Sequence, residues 1–518
     1  PGESKIATAE FLILGNDGGL NITFDDGTTW VKANTPAVGQ FYSVAVDMEK
    51  PYNVYGGLQD NGVWLGPSKY KYSSGWQMSG KYPYDFLLGG DGMQVAVDTT
   101  DNNTVYTGYQ FGYYYRINKK DDKNDLIKPV RDLGEKSLRF NWQAPIYLSQ
   151  HNPEIFYIGS NKLHRSLNKG ETYEVISPDL TLGGMKGDVP YGTLTSIDES
   201  SFKFGLIYTG SDDGLVYITK DGGSSWKNIS NGLPQNLWVS RIYASQFDTA
   251  VVYVSLNGYR WDNFDSYVYK STNFGETWEK IGNDLPSEPV NVVKEDPINK
   301  NIIYVGTDNG LYASLNGGKN FMGMFNGLPF VPVHDLVVQP RDKELVVGTH
   351  GRSIYIADVQ YLQQLNENIL AKKLYVFEIE NVKYNDSWGI KNYAWDKPSE
   401  PSLQIVYYAN KNGAANIKIK DKNGDLLNEL SDTTEQGLNY FDYDLSVAEK
   451  KIDSYKKFIN EKIEESKKDK FKETDTKKVY LRPGKYEIEI EVDGEKKSKT
   501  FEVKPQDKKI RGSEEKIP

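Results

Sequence analysis

The chain has 518 residues, 38% of them hydrophobic and 13% aromatic, including 37 Tyr and 10 Trp, and its formal net charge is −10. This length allows two or more domains, and the aromatic content suits pleated, half-buried surfaces. The acidic balance leaves no broad basic footprint for nucleic acid, and no apolar run reaches the roughly 18 residues of a membrane span. The lack of cysteine excludes disulfides and thiolate metal sites. With four histidines and no His-x-x-x-His pair, no metal or cofactor is expected.

In chain order, an apolar strand ending in Gly or Ser recurs. It appears as Phe11-Leu12-Ile13-Leu14-Gly15, Asn53-Val54-Tyr55-Gly56, Thr104-Val105-Tyr106-Thr107-Gly108 and Ile155-Phe156-Tyr157-Ile158-Gly159. It returns as Leu206-Ile207-Tyr208-Thr209-Gly210, Val251-Val252-Tyr253-Val254-Ser255, Ile302-Ile303-Tyr304-Val305-Gly306 and Leu345-Val346-Val347-Gly348. Successive copies stand 41 to 52 residues apart, the period of one four-stranded propeller blade.

A second repeat follows five of these strands. It reads hydroxyl residue, then Asn or Asp two places on, Gly two places after that, and an aromatic residue three further on. Ser271-Thr272-Asn273-Phe274-Gly275-Glu276-Thr277-Trp278 is the clearest copy; others begin at Thr23, Ser166, Thr219 and Ser314. Each residue type is explained by turn chemistry: side chains that bond the turn's own backbone, and a glycine for positive φ. The boxes are therefore read as hairpin stabilisers on the outer rim rather than as ligand sites. Tight hairpin tips stand at Asp17-Gly18, Asp60-Asn61-Gly62, Asp212-Asp213-Gly214 and Asp308-Asn309-Gly310.

About seven to eight blades are thus expected over residues 1–360, the first incomplete and the last without a box. Because both end blades hold second and third strands, ring closure is expected to need further sequence or an unusual arrangement. The chain opens at Pro1, inside a repeat, and is read as part of a longer exported precursor. A short helical linker is expected over 361–373. An immunoglobulin-like sandwich should follow over 374–505, with strands at 374–379, 403–408, 415–420, 485–492 and 498–503. A Lys/Glu-rich helical insertion over 446–475 places Ile452, Tyr455, Phe458, Ile459 and Ile463 at helical spacing, to pack on the sandwich. The charged tail, 506–518, reads as disordered.

The boxes resemble the Asp-box, or BNR, repeats of sialidases, xyloglucan-degrading two-propeller glycosidases and sortilin-type propellers. Four stretches resemble a group of large bacterial sortilin-like proteins often labelled glycosyl hydrolases. They are Gly57-Leu58-Gln59-Asp60-Asn61-Gly62; Gly89-Gly90-Asp91-Gly92-Met93; Ala144-Pro145-Ile146 through Ser177-Pro178-Asp179-Leu180-Thr181; and Gly348-Thr349-His350-Gly351-Arg352-Ser353. His164 departs from the pattern where an aromatic residue is usual, and the blade around 116–130 has lost its box. The resemblance implies an all-β fold, a propeller followed by a sandwich, and leaves activity open.

For chemistry, Asp60 and Asp91 lie in Gly-rich turns where consecutive blades meet, with Asp17 as a third candidate. A glycosidase needs two such carboxyl groups; the plain alternative is that each Asp caps a turn. Tyr113, Tyr259 and Trp261 are candidates for stacking on a sugar or a peptide. His350 and Arg352 could place a base and a cation at a blade end. Scattered arginines and the lack of a Phe-Arg-Ile-Pro segment argue against a sialidase. The leading reading is an exported, envelope-associated or cell-surface propeller that recognises a protein or peptide, or serves a larger envelope complex. The alternative is a glycoside hydrolase acting on a polysaccharide.

Overall fold

The computed structural model describes residues 11–16, 19–33, 38–70, 83–121, 123–184, 191–461, 469 and 471–506. The chain forms two compact units, Pro1–Gln363 and Gln364–Pro518.

The first unit is a β-propeller. Seven antiparallel sheets follow one another, and the first strand of each lines the ring's centre. Blade one comprises Phe41–Val46, Asn53–Leu58, Gly62–Pro67 and Asp85–Leu88. Blades two to six begin at the inner strands Val95–Val97, Ile146–Leu148, Leu194–Glu199, Trp238–Ala244 and Val290–Glu295. Blade seven has three strands, Val333–Gln339, Glu344–Thr349 and Ile354–Asp358. All inner strands run the same way. One face of the ring therefore gathers the hairpins between second and third strands and the loops between blades. The other carries the short turns after the inner strands. These are called the loop face and the turn face.

The repeated Tyr of the second strand is core: Tyr55, Tyr106, Tyr157, Tyr208, Tyr253 and Tyr304 are all fully buried. A buried phenol needs a partner, and carboxylates at the ends of inner strands supply four. Asp47 accepts from Tyr55 at 2.8 Å, Glu199 from Tyr157 at 3.0 Å, Glu295 from Tyr253 at 3.1 Å and Asp296 from Tyr304 at 3.0 Å.

The five boxes share one geometry. In the copy at Ser271, its hydroxyl donates to Asn273 at 2.9 Å and accepts from the Gly275 amide at 2.8 Å, and Asn273 accepts from the Thr277 amide at 3.0 Å. In addition, the boxes within the ring lock each blade to the one before. The Trp278 indole donates to the Ile229 carbonyl at 2.7 Å, Trp226 to Ile176 at 2.8 Å, and the Tyr173 hydroxyl to Ile127 at 2.6 Å. The box glycine seats the same residue: a Cβ on Gly275 would stand 2.3 Å from Ile229 Cδ1. Blade two, which lacks a box, still offers Ile127 to the box of blade three. His164 is a packing residue, with Nε2 2.8 Å from the Ser160 hydroxyl; burial pulls its pKa down to about 4.

Ring closure differs from the sequence expectation. Seven blades within this chain close directly, blade seven on blade one, through side chains and loop backbone. Asp335 accepts from the Val44 amide at 3.1 Å, Gln339 donates to the Asp47 carbonyl at 3.2 Å, and Arg341 donates to the Met48 and Glu49 carbonyls at 2.8 Å each. Gly351 and Ser353 donate to the Gly39 carbonyl, and Phe41, Val44, Tyr52, Val54, Leu58 and Val346 pack as one cluster. The first box-bearing sheet, Leu12–Asn16, Gly19–Thr23 and Val31–Ala33, is not one of the seven. Its Leu12–Asn16 strand is exposed throughout, and Trp30 donates to its own turn, at Gly27, rather than to another blade. Asp17 lies outside the described residues.

The second unit begins with helices Gln360–Gln364, which spans the division, and Glu367–Leu370. Two sheets follow: Leu374–Val376, Leu403–Ala409 and Gly437–Tyr443 in one; Val382–Lys383, Glu495–Lys504, Gly484–Val492, Gly413–Asp421 and Leu426–Thr434 in the other. The sequence reading missed the strands over 426–443, whose polar outward positions blur the alternation. The insertion is corrected as well. Its helix runs Ile452–Asn460 with Tyr455 in the core, and it does not continue to 475. Asn460 closes the helix by bonding the Asp469 backbone both ways, and from 471 the chain is non-helical, with Thr474 and Thr476 bonded into a turn. Ile463 and residues 507–518 lie outside the described residues. Tyr486 donates to the Arg482 carbonyl at 2.6 Å, pinning the entry to the penultimate strand.

Candidate functional site: the loop face of the ring

The two Gly-rich turns lie against each other. Gly62 donates to the Gly90 carbonyl and Gly92 to the Leu58 carbonyl, both at 2.8 Å. A Cβ on Gly57 would come within 2.1 Å of the Met93 carbonyl oxygen, so only glycine permits this approach. The pairing brings Asp60 and Asp91 together. Asp60 is exposed, with a left-handed backbone at φ 59°, and its amide donates to Asp91 Oδ1 at 2.6 Å. Asp91 is 7% exposed, and its Oδ2 accepts from the Gln110 carboxamide. Asp91 thus fixes the Asp60 turn and links blades one and two.

Beside this pair stands Tyr42, from the start of blade one's inner strand. Its hydroxyl donates to Gln59 Oε1 at 3.0 Å and also meets the Trp142 indole. Burial pushes the phenol up to about 12, and the nearby charges of Asp91, Asp60 and Tyr259 act the same way. Tyr259, from blade five, is near enough to Tyr42 to add to this effect. His334 and His350 stack at 4.4 Å beside it, and the Tyr42 ring lies 5.6 Å from His350. Burial lowers the pKa of both, His334 to about 3, so neither supplies a cation near neutral pH. Arg352 is exposed on the rim, its amide bonded to Thr349.

Aromatic side chains surround this mouth. Trp142, Tyr259 and Trp261 are 37%, 44% and 46% exposed. Trp142 meets Phe111 edge-on at 5.3 Å. The Arg260 guanidinium lies 4.1 Å from the Trp238 ring and 4.5 Å from Tyr259, which stiffens the 259–261 turn. Tyr113 stacks on Tyr109 at 5.2 Å and carries Lys128 over its face at 3.4 Å, so that face is already covered.

Two further carboxyls stand at hairpin tips and were not among the candidate site residues read from sequence. Burial pushes Asp212 up to about 6, where it accepts from the Gly192 and Thr193 amides at 2.9 Å each and the Thr193 hydroxyl at 2.6 Å. Burial, with Glu288 nearby, also raises Asp308, which accepts from Asn291 at 2.9 Å. Their recurrence at the same blade position as Asp60 is the signal that could have marked them. Among the described residues, no group of three or more His, Cys, Asp or Glu could hold a metal ion, and no helix is long and apolar enough to cross a membrane.

No family model matches the chain. Over 210 residues it is 26% identical to the oligoxyloglucan-reducing end-specific xyloglucanase of Emericella nidulans, a match covering 38% of this chain and 24% of that enzyme. Among solved structures it is similar to the GH74 xyloglucanase of Xanthomonas campestris, with 16% identity, a TM-score of 0.48, and 73% of this chain and 59% of that one covered. It is also similar to YCF48 from Cyanidioschyzon merolae, with 8% identity, a TM-score of 0.45, and 62% and 96% covered. The chain therefore spans about a quarter of the fungal enzyme and less than two thirds of the Xanthomonas one.

Proposed function

We propose that this chain handles a neutral polysaccharide on the loop face of its propeller, outside the cell, as a glycoside hydrolase module. The observation that carries the reading is the cluster at the mouth. The exposed Asp60 has its backbone amide on the buried Asp91, in a turn beside the Gln59 and Gln110 carboxamides, and half-exposed aromatic rings stand nearby. Aromatic faces bind the apolar faces of sugar rings, and amides and phenols bind their hydroxyls. The histidines beside the mouth are neutral, and the Arg260 guanidinium is held against the Trp238 and Tyr259 rings. The sequence similarity to a xyloglucanase supports the same class of ligand. In this reading Trp142, Tyr259 and Trp261 hold the chain. Asp60 is the carboxyl that acts at the glycosidic bond, and Asp91, with both oxygens engaged, is its partner and holds the Asp60 turn in place.

The test is affinity electrophoresis in xyloglucan, with a reducing-end assay run alongside. Trp142→Ala should lose retardation. Asp60→Asn should keep retardation and lose product release by about 100-fold or more. Absence of retardation in xyloglucan and in other neutral β-glucans would overturn the reading and return the loop face to protein or peptide recognition.

A further inference from the structure

The ring's centre holds a second polar site, separate from the loop-face cluster. A channel of 410 Å³ runs between the inner strands, from Ser43 and Gln94 to the turns at Thr99, Thr100 and Pro153, and so reaches the turn face. Arg241 from blade five and Lys294 from blade six both line it, with 20% and 21% of their side chains accessible. They share one carboxylate: Asp335 Oδ1 lies 3.0 Å from Arg241 Nη2 and 3.5 Å from Lys294 Nζ. Asp335 Oδ2 is occupied by the Val44 amide.

Donors outnumber acceptors here. Among the described residues, Arg241 donates only through Nη2, and its buried Nε has no partner. Lys294 spends one N–H on the Leu336 carbonyl at 2.5 Å. The Ser43 and Ser196 hydroxyls accept from the Val95 and Ile242 amides, and among the described residues neither hydroxyl hydrogen has an acceptor. Two cations, one shared carboxylate and two free hydroxyl donors around a cavity call for an acceptor-only occupant. We propose that the channel binds a small oxyanion, of sulfate or phosphate size, between Arg241 and Lys294, entering from the turn face.

The other ionisable groups facing the channel are Asp198 on blade four, Asp98 on blade two, and the phenols of Tyr147 and Tyr243. Asp98 is engaged by the Thr100 amide and hydroxyl. Burial pushes Asp198 up to about 7, so that below this one negative charge is withdrawn from the channel. Burial also lowers the Lys294 pKa, a cost that a bound anion would reverse.

Equilibrium dialysis of the full chain against radiolabelled sulfate, at low ionic strength, tests the proposal. Sulfate keeps its charge between about pH 6 and 8.5, so any pH dependence belongs to the protein. One sulfate per chain should bind at about pH 6 and bind more weakly at about pH 8.5, as Asp198 ionises. Asp198→Asn should shrink that difference, leaving only what Lys294 contributes, and Arg241→Met should weaken binding about tenfold or more. The proposal is overturned by failure of the wild-type chain to bind sulfate stoichiometrically. Binding that both variants leave unchanged would overturn it equally. The wild-type and Asp198→Asn measurements decide the matter even if Arg241→Met does not fold.

Discussion

The blade lock makes a quantitative prediction at Gly275. Its φ is +79°, and a Cβ there would stand 2.3 Å from Ile229 Cδ1 and 3.1 Å from Ile229 Cβ. Gly275→Ala therefore meets two costs. Holding Ala in the left-handed region costs about 1 kcal/mol. Pushing a methyl into a filled contact costs a further 1–3 kcal/mol, roughly, for a sum of about 2–4 kcal/mol. Gly327 isolates the first cost, because its φ is +77° and nothing lies within 4 Å of the built Cβ. Gly327→Ala should lose only about 1 kcal/mol. Urea denaturation of the full chain followed by tryptophan fluorescence, with midpoints compared at a common slope, measures both. Ile229→Val removes the closest atom, Cδ1, so in that background the Gly275→Ala loss should shrink by about 1 kcal/mol or more. If Gly275→Ala costs no more than Gly327→Ala, the box is a hairpin device alone and the lock between blades is wrong.

Three further outcomes follow from other contacts. Arg341→Ala removes two hydrogen bonds that close the ring. It should cost about 1–3 kcal/mol and speed hydrogen exchange over 41–46 and 333–339, and unchanged exchange there would contradict side-chain closure. Burial holds Asp198 at about 7 and Asp212 at about 6, above the ordinary 3.8, so the folded state keeps protons that the unfolded chain has released. Their combined effect is falling stability as pH rises from about 4 to 7. The buried histidines, with lowered pKa values, act the other way below about 6.5, so the comparison is between chains. Urea midpoints across pH should fall less with rising pH in Asp198→Asn than in the wild type, and profiles that run parallel through the upper part of that window would refute the sign. Tyr486→Phe removes the donor to the Arg482 carbonyl and the partner of the Tyr455 hydroxyl at 2.9 Å. A loss of about 1–2 kcal/mol is expected in the second unit, seen as faster exchange over 484–492.

How much of this was legible in the sequence depends on how far apart the interacting residues lie. The box turn is local: Ser271, Asn273, Gly275 and Thr277 bond one another within a few residues, so their chemistry can be read directly. The second-strand tyrosines repeat for the same reason, each blade having one core position of that size. What the box does to its neighbour could not be read. Ile229 stands three places after Trp226 but is gripped by Trp278 and Gly275, in the next blade. Three-residue spacing after an aromatic also describes an ordinary strand. Ring closure left no motif, because Gln339 and Arg341 bond backbone carbonyls, which any residue supplies.

The same distinction governs the loop face. Asp60 and Asp91 could be picked out because glycines crowd around them, and the glycines are there because two backbones touch. Gln59 and Gln110 sit in glycine-flanked hairpins too, but Tyr42 and Trp142, which also give the mouth its character, carry no such punctuation. Tyr42 starts an inner strand and Trp142 lies in a loop between blades, and only the ring brings the two together. Asp308 and Asp212 show the converse. They have the same tip pattern as Asp60, yet Asp212 is consumed by three hydrogen bonds within its own blade and Asp308 is raised by burial beside Glu288. Equivalent positions around the ring thus hold carboxyls in different states: exposed at Asp60, clamped at Asp212, half-buried at Asp308. A symmetric repeat cannot by itself provide an acid and a base, since identical environments give identical pKa values. It is the departures from symmetry, the Gly-rich contact of blades one and two above all, that make one sector of the face chemically distinct and make it the place to test first.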